Sequence, residues 1–498
     1  MKELSGYLHY FGQWLKFNPE QPFLFQTVPF VLLFSVFYII YLLFARKTLI
    51  RNIFLLVFSL FFYYKISNYF VLLLVLISFS DFLLARKIHT CKTDSTKRLW
   101  LFISFALNIG ALIYFKYTYF FLDIFNQAFD QNISLAFKII QPVGISYFVF
   151  KSLSYTVDVY REMIDEPEKN YFRYLLYVSF FPNILAGPIS KARDLMPQFL
   201  SHFEVSKEHL SKGIFFISLG LIKKIAVADF IGANLSDRVF DAHIYFSSFE
   251  LLMAAFGGML KVFFDFAGYT DIVVGIAFLL GFTIVPNFNQ PFKAENISGF
   301  WKRWHMSFYN WLSDYVFQPI AFNLRKLKLW GTILAIYLTF LISGLWHGPN
   351  ITFVVWALAH GTLIAIEALT TNLRKNLKDK LGTAYTLISI VLTFLFICFI
   401  SILINCASLD KAFDYYRLMF SGLNAIYIPK WFELYYLPFS VMLSALVLQY
   451  LPLRFYDFLF QNWARIPAWL MALMFAVLVL FLYQLSYLEA IPFNYIAY

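Results

Sequence analysis

Two histidines, His305 and His347, stand in sequence that is otherwise apolar and aromatic. An ionisable side chain at the centre of a membrane helix costs about 2.5–3.5 kcal/mol on insertion scales, unless it faces a partner or a watery cavity. Two in one neighbourhood therefore suggest a reaction centre. His347 follows the apolar run Ile333 to Leu345 and precedes Gly348-Pro349, which cannot extend a helix, so it is predicted at a helix C-terminus. Asn350 can cap the next helix, which makes WHGPN a tight turn inside the protein. An imidazole titrates near pH 6.5 in water, and an apolar setting keeps it uncharged at neutral pH. A neutral ring of this kind can take the proton of a hydroxyl as it attacks a thioester. A core histidine that only holds the turn would look the same, and both roles stay open on context alone.

His305 lies in NFNQPFKAENISGFWKRWHMS. Phe300, Trp304, Phe308, Trp311 and Tyr315 recur at helical spacing, which predicts one aromatic face, and Trp301, His305 and Tyr309 form a second. Lys302 and Arg303 between them could meet a phosphate on an acyl donor. The plainer reading is an interfacial aromatic helix anchored by its charges. His360 falls too far along and around the following helix to share the turn of His347, and reads as structural. His9, His89, His202, His209 and His243 fall in loops or at segment ends, where solvated rings are expected.

The elements that must position these residues are set by composition. Of 498 residues, 60% are hydrophobic and 21% aromatic, with only 14% charged, which places the chain among integral membrane proteins with no attached soluble domain. The net charge of +11 comes from basic residues in short clusters between apolar runs, the pattern of cytoplasmic loops and not of nucleic-acid binding. Cys91, Cys398 and Cys406 have no metal or redox spacing and read as inert, and no set of metal ligands is expected.

Residues 1–20 read as an amphipathic lead-in at the interface, without the pattern of a cleavable signal peptide. Val28 to Phe44 is the first predicted span, followed by segments near 52–64, 68–85 and 99–115. GISYFVFKSLSYTVDVYR is apolar yet broken by Lys151, Ser152, Ser154 and Asp158. FFPNILAGPISKARDLMPQF places Pro182, Gly187, Pro188 and Pro197 where a helix should continue. Such irregular backbone is tolerated at membrane depth only if buried in protein or lining a cavity, and these segments are expected to line one. Further helices are predicted over 213–230, with Lys223 and Lys224 inside, and over 251–266, then on either side of WHGPN and near 384–404, 436–452 and 468–487. Asp265 and Asp271 interrupt FDFAGYTDIVVGIAFLLGF, and an aromatic tail closes the chain at 488–498.

FDFAGYTDIVVGIAFLLGF, NFNQPF, FWKRWHMSFYNWLSDYVFQPI and SGLWHG, in this order, closely resemble the membrane-bound O-acyltransferase (MBOAT) family. The likeness is to its bacterial branch of alginate and peptidoglycan O-acetylation proteins and teichoic acid D-alanylation proteins. The resemblance implies an all-α polytopic membrane protein, a ring of about 11–13 transmembrane and re-entrant helices around a central funnel, with its catalytic core over residues 140–370. It implies that His347 is the catalytic histidine and His305 a second one, and that Lys302, Arg303, Trp304, Asn289 and Trp346 bind the donor or line the funnel.

By the same resemblance the ending IPFNYIAY makes Tyr495 a candidate acyl relay, although an aromatic tail that merely anchors at the interface fits too. The expected activity is O-acetyl transfer from acetyl-CoA or an acyl-carrier thioester, with no permanently bound cofactor, to a cell-envelope polysaccharide such as peptidoglycan or an alginate-like polymer. A separate periplasmic or extracellular partner with a serine nucleophile would complete the transfer, since no hydrolase-like elbow is present here. The expected location is the bacterial inner membrane, in contact with lipid. The rival reading is a transporter of an acyl donor or lipid-linked sugar that performs no chemistry, although no internal repeat supports it.

Overall fold

The computed structural model describes residues 15–19, 23–204, 206–422 and 424–485, and among these every regular element is helical. Eight helical runs among the described residues are long and apolar enough to cross a membrane, and Val28–Phe44 is a shorter apolar helix. Large apolar side chains such as Leu43, Leu76, Phe102 and Leu480 stay exposed on these runs, as a lipid surrounding requires. One run, Thr48–Thr90, is interrupted at Asn68, whose φ of 52° and ψ of −132° separate Thr48–Ser67 from Val71–Thr90. At about 1.5 Å per residue, each half is roughly as long as the hydrocarbon core is thick. Most of the 1–20 lead-in, all but residues 15–19, and the tail with Tyr495 lie outside the described residues.

The described residues cluster into two compact units. The first runs to Ile217 and includes Ile272–Val285. Its centre is Ile145–Tyr160, the helix whose sequence mixes apolar and polar residues, and all of it but Tyr160 is buried. Burial explains the mixture, because its polar groups need partners that water cannot supply. Thr156 meets Ser104, which with Asn108 donates to the buried carboxylate of Asp81 at 2.6 and 2.7 Å. Lys151 donates to Asn183 Oδ1 at 3.1 Å and lies over the ring of Tyr177.

Asn183 belongs to the proline-rich segment, and its amide reaches Pro188 O and Ser190 Oγ. The irregular backbone there is buried throughout 180–189. Only short helices follow it, Ala192–Leu195 and Met196–Phe199.

The second unit comprises Ser218–Asp271 and the described chain from Pro286. Lys223 and Lys224 do not sit in a continuous α-helix as expected: Lys207–Leu221 gives way to a π-helical stretch, Ile222–Asp229. The wider turn lets both lysines find carboxylates. Lys224 pairs with Asp229 at 2.7 Å and Asp265 at 2.8 Å, while Lys223 pairs with Asp271 at 2.6 Å. The two acids that interrupt the apolar run thus have cationic partners, and Ser248–Leu279 continues through them as one 32-residue helix.

Leu329–His347 and Ile351–Leu369 pack side by side, and Gly344 permits the approach. A Cβ on Gly344 would fall 2.7 Å from Phe353 O and 2.8 Å from Ala357 Cβ. One further expectation fails in this unit. His243 is buried, not solvated, because its 3₁₀ turn folds onto the helix Leu409–Met419 and sets the imidazole 5.9 Å from the Tyr415 ring.

Candidate active site

His347 is the last residue of Leu329–His347, and Gly348 leaves the helix in extended conformation. Asn350 caps Ile351–Leu369 by accepting from Thr352 N–H at 3.0 Å, and its amide donates to Ala407 O at 2.9 Å. The corner therefore forms as its residue types predict. The imidazole is 6% exposed, with Trp346 and Trp356 each 5.1 Å away between centroids and Phe308 at 5.5 Å.

His305 departs from its expected setting. The aromatic spacing predicted one continuous helix, but Ile297–Trp301 ends before His305, whose φ of 44° and ψ of 50° are left-handed, and Met306–Leu312 starts after it. A non-glycine residue in that region costs about 1–2 kcal/mol. Phe300 and Trp304 thus precede the reversal and Phe308, Trp311 and Tyr315 follow it, so they do not share one helical face.

The strained turn is held by neighbouring chain. Asn287 O accepts from Met306 N–H at 2.9 Å and Asn287 Oδ1 from Ser307 N–H at 3.2 Å, which satisfies two helix-start donors that have no partner within the helix. Asn289 N–H donates to Arg303 O at 2.9 Å, extending the same pairing. His305 is fully buried, 4.6 Å from Phe266, 5.0 Å from Phe308 and 6.0 Å from Trp346 between centroids.

The two histidines are thus brought to one aromatic cluster, with the Phe308 ring in contact with both. Trp346 also touches both. Trp304 is buried between Phe263, Phe288 and Phe300. Lys302 and Asn289 are exposed and Arg303 is half-buried, so these three stand at the surface of the His305 turn and not beside the rings. His360, read as structural, accepts from Trp301 Nε1–H at 3.4 Å and lies 5.0 Å from Trp356, the ring that also meets His347. Indole nitrogen only donates, so Nδ1 of His360 carries no proton.

Residues 159–409, which hold both histidines, match MBOAT, the membrane-bound O-acyltransferase family. A peptidoglycan O-acetyltransferase of Helicobacter pylori is 31% identical over 415 residues, covering 78% of this chain and 77% of that protein. The chain belongs to the membrane-bound O-acyltransferase family. Other relatives agree. A probable alginate O-acetylase of Pseudomonas aeruginosa is 32% identical over 378 residues, 74% of this chain and 70% of its own length. A teichoic acid D-alanyltransferase of Bacillus subtilis is 30% identical over 270 residues, 53% of this chain and 68% of its own.

As an MBOAT protein the chain is an acyltransferase built of membrane helices. Its sequence had pointed to His305 and His347 but not to Asn287. Asn287 stands in the NFNQP run and caps a helix that begins 19 positions later, an arrangement no local pattern announces. Glu367 was missed as well: it accepts from Ile297 N–H at 2.6 Å and Ser298 N–H at 3.1 Å, and so ties the His305 segment to the helix after His347.

Proposed function

We propose that this MBOAT protein takes an acetyl group from a cytoplasmic thioester, acetyl-CoA or an acyl-carrier thioester, for O-acetylation of a cell-envelope polysaccharide. The relatives named for peptidoglycan and alginate acetylation support the acyl group and the acceptor class. The observation that carries the chemistry is the convergence of His305 and His347 on Phe308 and Trp346 in a buried cluster.

In this reading His347 accepts the proton of the acceptor hydroxyl while its oxygen bonds to the carbonyl carbon and the carbonyl π pair moves onto oxygen. Collapse of the adduct re-forms C=O and breaks C–S, and the proton on His347 leaves with the thiol. His305 orients the thioester. Lys302 and Arg303, at the surface of the His305 turn, meet phosphate on the donor. The chain resides in the bacterial inner membrane, and a separate protein with a serine nucleophile passes the acetyl group to the polymer on the outer side. Tyr495 is the candidate carrier of the acetyl group between the two.

Mass spectrometry of envelope glycans from cells with and without the chain tests the reading. Loss of O-acetyl groups from one polymer is the expected result, and unchanged glycan acetylation with altered uptake of acyl donor or lipid-linked sugar would favour a transporter.

A further inference from the structure

The amide of Asn287 is fully buried and its orientation is fixed. Ser307 N–H can only donate, so the atom facing it at 3.2 Å must be Oδ1, and Nδ2 must face away. Among the described residues Nδ2 has no hydrogen-bond partner. Buried donors are nearly always paired, and leaving one unmade costs about 1–3 kcal/mol. This one belongs to the side chain that holds Ser307 N–H, two residues after His305, while the backbone carbonyl of the same residue holds Met306 N–H. A second buried polar atom without a partner among the described residues, Ser343 Oγ, lies one turn before His347 on its helix. The two donors thus belong to residues tied to the histidines, Asn287 through its bonds to Met306 and Ser307 and Ser343 through the helix that ends at His347.

Resting on the acyl-transfer reading above, we infer that Asn287 is a catalytic residue whose Nδ2–H donates to the carbonyl oxygen of the thioester. As the acceptor oxygen bonds to the carbonyl carbon and its proton passes to His347, the carbonyl oxygen gains the π electron pair. The amide hydrogen bond strengthens with that charge and returns to its ground-state strength when C–S breaks. The donor is positioned before the reaction, because the same side chain is already fixed by capping Met306–Leu312. A purely structural Asn287 would need Oδ1 alone.

Asn287→Asp keeps an oxygen for Ser307 N–H and removes the N–H₂ donor. The test uses the full chain in membrane vesicles, acetyl-CoA as the thioester, and thiol release measured against thioester concentration. Loss of one such donor is expected to lower kcat about 10²–10³-fold. The apparent KM and the melting temperature of the purified chain should stay near those of the unsubstituted protein. Asn287→Ser, whose hydroxyl both accepts and donates, is expected to fall between the two, and it keeps the question answerable if N287D folds poorly. Wild-type kcat in N287D overturns the assignment, as does an N287S chain that folds and yet turns over no faster than N287D. If the unsubstituted chain releases no thiol from acetyl-CoA and none from an acetylated acyl carrier supplied in its place, the thioester reading fails and the assignment fails with it.

Discussion

Glu367 accepts the backbone N–H of Ile297 at 2.6 Å, so the last turn of the helix that follows the His347 corner holds the first turn of the helix that precedes His305. Its second oxygen takes Ser298 N–H. The negative charge sits where a helix start favours it.

Removing that anchor should loosen the His305 turn. Glu367→Ala leaves two helix-start donors unmade and is expected to cost about 1–3 kcal/mol. Glu367→Gln keeps one accepting oxygen and should lose less. Thermal unfolding of the solubilised full chain, read beside acetyl transfer, checks this: transfer should fall in the order wild type, Gln, Ala.

Gly344 sets the distance between the helices on either side of the corner. In Gly344→Ala the new methyl meets backbone oxygen of Phe353 and the Ala357 side chain, neither of which can swing away. Overpacking of this kind costs about 1–3 kcal/mol. Gly110 has nothing within 4 Å of a Cβ, so Gly110→Ala, in the helix Asp94–Leu112, is the control and should be neutral or slightly stabilising. The melting temperature should fall in Gly344→Ala and stay level or rise slightly in Gly110→Ala.

Lys224 holds two carboxylates in a buried site. Lys224→Met removes the cation that both Asp229 and Asp265 contact, and breaking a buried pair in this way typically costs about 3–5 kcal/mol. Low expression or a large fall in thermal stability is expected. Adding Asp229→Asn and Asp265→Asn to Lys224→Met should recover part of the loss, and additive damage in that triple variant would show that the three groups do not act together.

Much of this arrangement was legible from residue types. The WHGPN corner announces itself, because Gly348-Pro349 must end one helix and Asn350 is suited to begin another. The proline-rich segment could be read as irregular backbone in need of shelter, but the rule allows either protein or a cavity around it, and only the folded chain shows that 180–189 are buried.

The reversal at His305 was not legible. Aromatic spacing stays helical on both sides of it, and a left-handed histidine carries no compositional mark. What holds it, Asn287 and Glu367, is remote in sequence and becomes visible only in the folded chain. Lys223, Lys224, Asp265 and Asp271 could be read as charges in need of partners, but which lysine meets which acid depends on a π-helical turn that periodicity does not reveal.

The base assigned to His347 is tested most directly by thiol release and acetyl transfer in His347→Ala, measured with the full chain in membranes at saturating acetyl-CoA. A general base contributes about 10²–10⁴-fold, and a fall of that size with a folded chain that still binds the thioester is predicted. Transfer at the wild-type rate in that variant would contradict the account.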